Sequence, residues 1–291
     1  MDTRFVVPGT WKLALLLIPV GLACNAVPAS AKRLEKHFKV AARPVITIHN
    51  PSGTVTVKAW TKSEVLVIAD LNSSEIDVGA EQNGNRVDVT TRQLSDNLSP
   101  DDLRADYQID VPEDAELQIH NDSGGVSVVN VLGDMSVETV AAGVDLQDVA
   151  GYLTVKTVGG SFECLRCAGR IDVSSISGNF RFVGTRSKHV HAQTSTGNIL
   201  FAGEFLPDGD YRLRNYSGVI ELRYASGDSF DLSATSLKGR VNNQARLIPP
   251  SHSYRADLRD GNALFGTYNT AGHARVDLTS FDGTINIVKR D

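Results

Sequence analysis

The chain has 291 residues, of which 41% are hydrophobic and 22% are charged, and this composition argues against wholesale disorder. The length suits one large β domain or two smaller ones. The formal net charge of −5 argues against a nucleic-acid-binding surface, which would carry a basic stripe or patch, and no such stripe occurs.

The N-terminus has the pattern of a signal peptide. Arg4 and Lys12 precede an apolar run over residues 13–23, which is too short to cross a bilayer but suits the hydrophobic region of an export signal. Residues 29–31 read Ala-Ser-Ala and match an A-x-A cleavage site. We therefore expect residues 1–31 to be removed on export.

A lipoprotein signal is the alternative at this end of the chain. Residues 21–24, Gly-Leu-Ala-Cys, resemble such a signal, in which Cys24 would be acylated. Gly21 stands where leucine is usual, and this favours cleavage after Ala31. No later segment is apolar for long enough to cross a membrane, so we expect a periplasmic or cell-surface protein.

Before Leu117 the sequence is β-rich but irregular. Residues 45–57 alternate in polarity around a Pro-Ser-Gly turn, and residues 65–69 and 86–90 are typical of further strands. Asn83 and Gly84 form a hairpin-turn dipeptide.

From Leu117 on, the sequence repeats with a period of about eighteen residues. Such a period is the mark of a repeat architecture. The units, which we call rungs, begin at Leu117, Met135, Leu153, Ile171, Val190, Tyr211, Phe230 and Val276.

Each rung contains two short alternating runs joined by a corner. In the first rung Leu117 and Ile119 precede the corner, and Val126 and Val128 follow it, each pair separated by one polar residue. Alternation of period two places one set of side chains on a buried face. Small residues recur at one corner position, where backbones approach closely or φ is positive: Gly124, Ala142, Gly160, Gly178, Gly197 and Gly218.

These patterns predict an all-β fold. It is a parallel β-solenoid, or β-helix, of about 18-residue rungs with a less regular β-rich N-terminal part. Residues 1–31 form the signal peptide and 32–291 a single solenoid domain. Within that domain we assign 32–116 to the irregular start, 117–235 to regular rungs and 236–291 to degenerate C-terminal rungs.

Cys164 and Cys167 form a C-x-x-C motif, which can indicate zinc, redox chemistry or a disulfide. A zinc site needs two further ligands, and the sequence has no second such motif. In the repeat register both cysteines fall in apolar columns. The pattern therefore favours a buried or locally disulfide-bonded pair, as an oxidising compartment allows.

Other reactive side chains are predicted to be surface groups. His189 and His191 share one face of a strand, but no third ligand is adjacent in sequence. Asp145 and Glu163 fall on neighbouring rungs with Arg181 next, which favours a surface ion-pair ladder over a catalytic carboxylate pair. No nucleotide-binding, metalloprotease or serine-hydrolase motif occurs, so we predict no cofactor and no metal.

One polar column of the first run is a candidate binding face. A regular ladder of hydroxyl and amide groups is suited to a glycan or an envelope protein. The residues are Asn121, Thr139, Thr157, Ser175, Thr194 and Asn215.

The segment from Asp106 to Gly151 resembles a bacterial domain of unknown function labelled "putative adhesin". That family is typified by a strand ending in Val-Pro, here Val111-Pro112, a small spacer, and then strand–Ser-Gly–strand units. The resemblance covers about residues 40–291. It implies an exported parallel β-solenoid linked to adhesion or envelope sensing, and it supplies no catalytic residues.

The sequence therefore predicts a non-enzymatic, exported cell-envelope protein, adhesin-like or a scaffold, which binds an envelope protein or a glycan through a flat polar face. The alternative is a carbohydrate-active β-helix enzyme, either a polysaccharide lyase or a hydrolase. The Asp145–Glu163 column would then be the reactive one.

Overall fold

The computed structural model describes residues 32–249 and 262–290. The predicted signal peptide, its cleavage site and Cys24 lie outside these residues and stay predictions. No helix in the described part of the chain is long and apolar enough to cross a membrane.

The described residues form β-strands joined by turns, and this confirms the all-β class. The strands are β1 Lys32–Lys39, β2 Val45–Trp60, β3 Glu64–Leu71, β4 Ile76–Asn83, β5 Arg86–Gln93, β6 Ala105–Pro112, β7 Glu116–Val129, β8 Met135–Thr139, β9 Gly143–Gln147, β10 Ala150–Thr157, β11 Phe162–Leu165, β12 Ala168–Ser175, β13 Phe180–Val183, β14 Arg186–Thr196, β15 Ile199–Ala202, β16 Gly209–Ser217, β17 Val219–Tyr224, β18 Phe230–Ser236, β19 Arg240–Asn243, β20 Ala263–Tyr268, β21 Ala274–Ser280 and β22 Thr284–Lys289.

The strands build two parallel ladders that meet at the corners, which confirms the predicted solenoid. The first ladder runs β5, β2, β7, β8, β10, β12, β14, β16, β21 and β18. The second ladder runs β6, β2, β7, β9, β11, β13, β15, β17, β22 and β19. Strands β2 and β7 pass through their corners and belong to both ladders.

The rungs do not follow chain order at either end. The rung of β2 has two neighbours. Strands β5 and β6 form the rung on one side, and β7 forms the rung on the other side. At the other end, the rung of β21 and β22 lies between those of β16 and β17 and of β18 and β19. Antiparallel strands complete the ends: β4 pairs with β5, β3 with β6, β1 with β3, and β20 with β18. These strands cover edges that would otherwise pair with other chains.

The inward side chains of both ladders fill one hydrophobic core. Its aromatic part lies in the later rungs, where Phe201 is fully buried and its ring centroid is 5.4 Å from that of Tyr211. Phe182 and Phe205 pack on the same ring with centroids 6.1 and 5.5 Å away. Contacts of this kind add to the free energy gained by burying the rings.

The corners need glycine because neighbouring backbones touch there. A Cβ atom at Gly124 would overlap the carbonyl oxygen of Gly53 in the adjacent rung, and the φ of Gly124 is +102°. At Gly160 the same overlap would occur with the carbonyl of Ala142. The repeated small residue in the sequence therefore marks a close approach of backbones.

Candidate functional site on the outer face of the first ladder

The structure contradicts the predicted binding face, because its residues point inward. Asn121 is fully buried and Asn215 is 7% exposed, while Ser175 is half-buried. Strand alternation gives the reason: Asn121 is two residues beyond the buried Ile119, so both face the core. We call these six residues the corner polar column: Asn121, Thr139, Thr157, Ser175, Thr194 and Asn215.

The corner polar column bonds to backbone groups at the turns. The hydroxyl of Thr157 accepts a 2.9 Å hydrogen bond from the amide of Gly160, and the hydroxyl of Thr194 donates to the carbonyl of Gly178 at 3.2 Å. Asn121 donates from its amide nitrogen to the carbonyls of Gly53 and Ser123. Buried backbone groups need such partners, so the column has a structural role.

The outward side chains of the first ladder form two other columns, which we call the outer face. Each rung contributes one residue to each column. The first column is Gln118, Ser136, Thr154, Asp172, His191 and Arg212, and the second is His120, Glu138, Lys156, Ser174, Gln193 and Arg214.

A groove of about 310 Å³ lies in this outer face, across strands β10, β12, β14 and β16. Its walls are hydrogen-bonding side chains from both columns, including Thr154, Ser174 and Gln193. Lys156, Arg212 and Arg214 also line it. The groove therefore offers neutral donors and acceptors with several cations.

His191 is held at the edge of the groove by two carboxylates. Its Nδ1 lies 3.2 Å from Oδ1 of Asp172, and its Nε2 lies 3.2 Å from Oδ2 of Asp210. Arg170 and Arg212 pair with the same carboxylates at 2.9 and 2.8 Å. His191 thus lies in an outward column, as predicted, but it is half-buried in an ion-pair network.

Arg214 differs from the other cations of the groove. The ammonium group of Lys156 lies 3.1 Å from a carboxylate oxygen of Glu138, and Arg212 pairs with Asp210. Arg214 is exposed and has no ion pair among the described residues. Its guanidinium is therefore available to an anionic group of a ligand.

The second ladder carries the predicted acidic column on its outer face. Asp145 and Glu163 are register neighbours, and Nε of Arg181 on the next rung lies 3.2 Å from Oε1 of Glu163. A groove of about 520 Å³ runs beside them. Partial burial raises the pKa of Asp145, and the negative charge of Glu163 raises it further.

Replacing Asp145 with asparagine is expected to stabilise the fold at neutral pH. Because its folded-state pKa is raised, the ionised carboxylate opposes folding above that pKa, and the opposition disappears as the pH falls. Urea unfolding at pH 7 and pH 3 checks this, with the gain present only at pH 7.

The matched control is Asp148→Asn. Hydrogen bonds from Arg166 hold the pKa of Asp148 below its usual range, so the stability from that pair is present at neutral pH and lost in acid. Asp148→Asn should therefore destabilise the protein at pH 7. Equal shifts in both variants would contradict the assignment.

Cys164 in β11 and Cys167 in the short connection after it are both fully buried, as the repeat register predicts. Their Sγ atoms lie within bonding distance, and their Cα atoms are 5.9 Å apart. The disulfide itself stays a prediction. No group of three or more histidine, cysteine or acidic side chains within residues 32–249 and 262–290 is placed to hold a metal ion.

A known family model matches most of the chain. The model of Toastrack DUF4097 matches residues 45–288. The chain belongs to this family. The Toastrack region thus includes both ladders and the intercalated rung at each end. No curated protein matches this Toastrack chain.

Solved structures similar to this Toastrack chain have low sequence identity. A "putative adhesin" from Bacteroides fragilis is 14% identical, covering 90% of this chain and 99% of that one, with a TM-score of 0.41. A "putative cell adhesion protein" from Clostridium sporogenes is 15% identical, covering 89% and 100%, with a TM-score of 0.24. A "putative adhesin" from Parabacteroides distasonis is 10% identical, covering 89% and 98%, with a TM-score of 0.38.

Sequence reasoning missed the groove of this Toastrack chain. Lys156 and Arg214 lie in one outward column, although they are 58 residues apart in the sequence. Counting strand alternation back from the buried corner residue would have found that column. Which side chains of the two columns enclose a groove is a tertiary property, and the repeat spacing does not contain that information.

Proposed function

We propose that this chain is an exported, non-enzymatic, adhesin-like protein that binds an acidic envelope glycan in the groove of its outer face. The observation that supports this proposal is the groove itself, in which two polar columns and the unpaired Arg214 come together. Export rests on the predicted signal peptide and places the protein in the periplasm or on the cell surface.

The regular spacing of the outer face favours a polymer. Adjacent strands lie about 4.8 Å apart, so equivalent side chains recur at that interval along the solenoid. Thr154, Ser174 and Gln193 present hydroxyl and amide groups to the groove. A polysaccharide, whose hydroxyl groups also recur at a fixed interval, can bond to several rungs at once.

The charges of the groove favour acidic sugars. Lys156, Arg212 and Arg214 line it together with one carboxylate, that of Asp172, although the whole chain has a net charge of −5. Arginine forms bidentate hydrogen bonds with carboxylates and sulfates. A uronic-acid polymer is therefore a better match than a neutral glucan.

Two carboxylates beside the grooves, those of Asp172 and Glu163, are taken up in ion pairs, and this favours binding over hydrolysis. Glycoside hydrolysis needs a proton donor and a second carboxylate on opposite sides of the bond that breaks. Asp172 is bonded to Arg170 and His191, and Glu163 is bonded to Arg181.

Replacing Arg214 with alanine is expected to weaken binding of polygalacturonate by about 10- to 100-fold. A hydrogen bond to a charged group contributes about 1.5–3 kcal/mol, and each 1.4 kcal/mol is about tenfold in affinity. Isothermal titration calorimetry of the purified protein with polygalacturonate measures the affinity. Dextran serves as the neutral control polysaccharide.

The control is Arg223→Ala. Arg223 is also exposed, but it lies in the second ladder and pairs with Glu221 at 2.6 Å. The Arg223→Ala substitution should leave the affinity for polygalacturonate unchanged. If both arginine variants weaken binding equally, or if neither polysaccharide binds, the groove is not the glycan site.

A further inference from the structure

An apolar stripe runs along the outer edge of the corners. Each stripe residue directly follows the inward-facing polar residue at the corner of its rung. Stacking of the rungs therefore brings stripe residues that are distant in sequence next to each other. Backbone hydrogen bonds join the successive corners, for example from Gly159 to Val140 and from Lys238 to Phe281. We call this set the corner stripe, and in spatial order it is Val140, Val158, Ile176, Ser195, Tyr216, Phe281 and Leu237.

The large apolar side chains of the corner stripe are unusually exposed to solvent. Ile176 is 60% exposed, Tyr216 is 55% exposed and Leu237 is 64% exposed. The rings of Tyr216 and Phe281 stack on each other outside the core, with centroids 4.5 Å apart. Single exposed apolar residues are ordinary, but six apolar residues in a row that is interrupted only at Ser195 mark an interaction surface.

We propose that the corner stripe binds a second copy of this chain, with the two solenoids antiparallel. A two-fold axis between Ile176 and Ser195 would place the large side chain of one copy against the small one of the other. Val158 would then face Tyr216, and Val140 would face Phe281. The rung spacing is identical in the two copies, so the side chains stay matched along the whole stripe.

Charges at the two ends of the corner stripe are complementary in this arrangement. Asp122 occupies the stripe position one rung beyond Val140, and Lys238 follows Leu237 at the opposite end. Asp122 has only His120 as an ion-pair partner among the described residues, at 3.0 Å. The ammonium group of Lys238 lies 4.8 Å from the ring centroid of Phe281. Antiparallel packing places Asp122 of each copy at the Lys238 end of the other.

The flanks of the corner stripe argue against a membrane as its partner. The next residue on each rung is small or polar, as at Ala141, Gly159 and Ser177, and no cluster of lysine or arginine borders the row. Binding to an anionic membrane surface usually needs such a basic cluster. A row that is only one side chain wide is better matched by an equally narrow row on a second copy of the chain than by a membrane surface.

The size of the corner stripe predicts a weak dimer. Seven rungs at about 4.8 Å and a width of about 10 Å bury about 700 Å² over both copies. Stable interfaces bury about 1,200–2,000 Å². We therefore expect association in the micromolar range, in the absence of any glycan.

Sedimentation velocity of the purified protein over about 1–200 μM tests this proposal, with dimer expected at the upper end. Ile176→Asp is expected to leave monomer at every concentration, because it places two carboxylates at the centre of the interface. The control is Tyr152→Asp, which changes a 63% exposed aromatic residue outside the corner stripe and should leave the dimer intact. Circular dichroism melts confirm that both variants fold.

A charge exchange distinguishes antiparallel packing from other contacts. Asp122→Lys and Lys238→Asp should each raise the dimer Kd by about five- to tenfold, because each occurs twice in the interface and creates like-charge pairs. The double variant should return the Kd to within about twofold of the original. A wild-type monomer at all concentrations overturns self-association, and a double variant weaker than both single variants overturns the antiparallel arrangement.

Discussion

Replacing Gly124 with alanine is expected to lower the free energy of unfolding by about 3–5 kcal/mol. The added Cβ atom would overlap the carbonyl oxygen of Gly53 on the adjacent rung, and the φ of +102° is one that side chains other than glycine rarely adopt. Neither rung can move away, since each is bonded along its length to a neighbour on both sides. The loss corresponds to a fall of about 10 °C in Tm.

Gly227→Ala is the matched control for this substitution. No heavy atom outside its chain neighbours lies within 4 Å of a Cβ built at Gly227, and its φ is not in the left-handed region. The Tm of the Gly227→Ala variant should stay within about 2 °C of that of the wild-type protein. A Gly124→Ala variant as stable as the Gly227→Ala control would mean that the corners can separate at little cost.

Replacing Asn121 with alanine is expected to destabilise the protein by about 2–4 kcal/mol. Asn121 is fully buried, donates to the carbonyls of Gly53 and Ser123, and accepts a 3.0 Å hydrogen bond from Asn50. Each buried polar group left without a partner costs about 1–3 kcal/mol. Chemical unfolding followed by circular dichroism measures the change.

The control is Gln118→Ala on the same strand. Gln118 is exposed on the outer face, so its truncation should change the free energy of unfolding by less than about 0.5 kcal/mol. Polygalacturonate titration adds a second readout, in which Asn121→Ala should keep its affinity while still folded. Unchanged stability together with lost binding would restore the corner polar column as a binding face.

The regular rungs could be predicted from the sequence because each one carries its own signals. Alternation over Val126 and Val128 marks the buried face, and the corner glycine marks the contact between rungs. The same alternation places Asn121 in the interior, and the predicted binding face failed because its polarity was read as exposure. Polar residues are buried when backbone groups at a turn need partners.

The order of the end rungs could not be predicted in the same way. Rungs 45–57 and 276–288 have the same alternating pattern as the other rungs, and alternation alone does not specify which neighbours they take. Pairing along the solenoid is a tertiary choice among similar surfaces. The corner stripe depends on it, because Phe281 stacks on Tyr216 only through the intercalated rung of β21 and β22.

The intercalated rungs also fix the length of the solenoid. In an array stacked in chain order, a repeat can be added or lost at a terminus without disturbing the others. Here the final rung in the sequence is enclosed on both sides, and β18 has no parallel neighbour among the described residues other than β21. During synthesis, the rung of β18 and β19 must wait until β22 is complete, about 45 residues later, before it can take its place. The C-terminal rung thus joins the stack last, and its arrival sets the number of rungs.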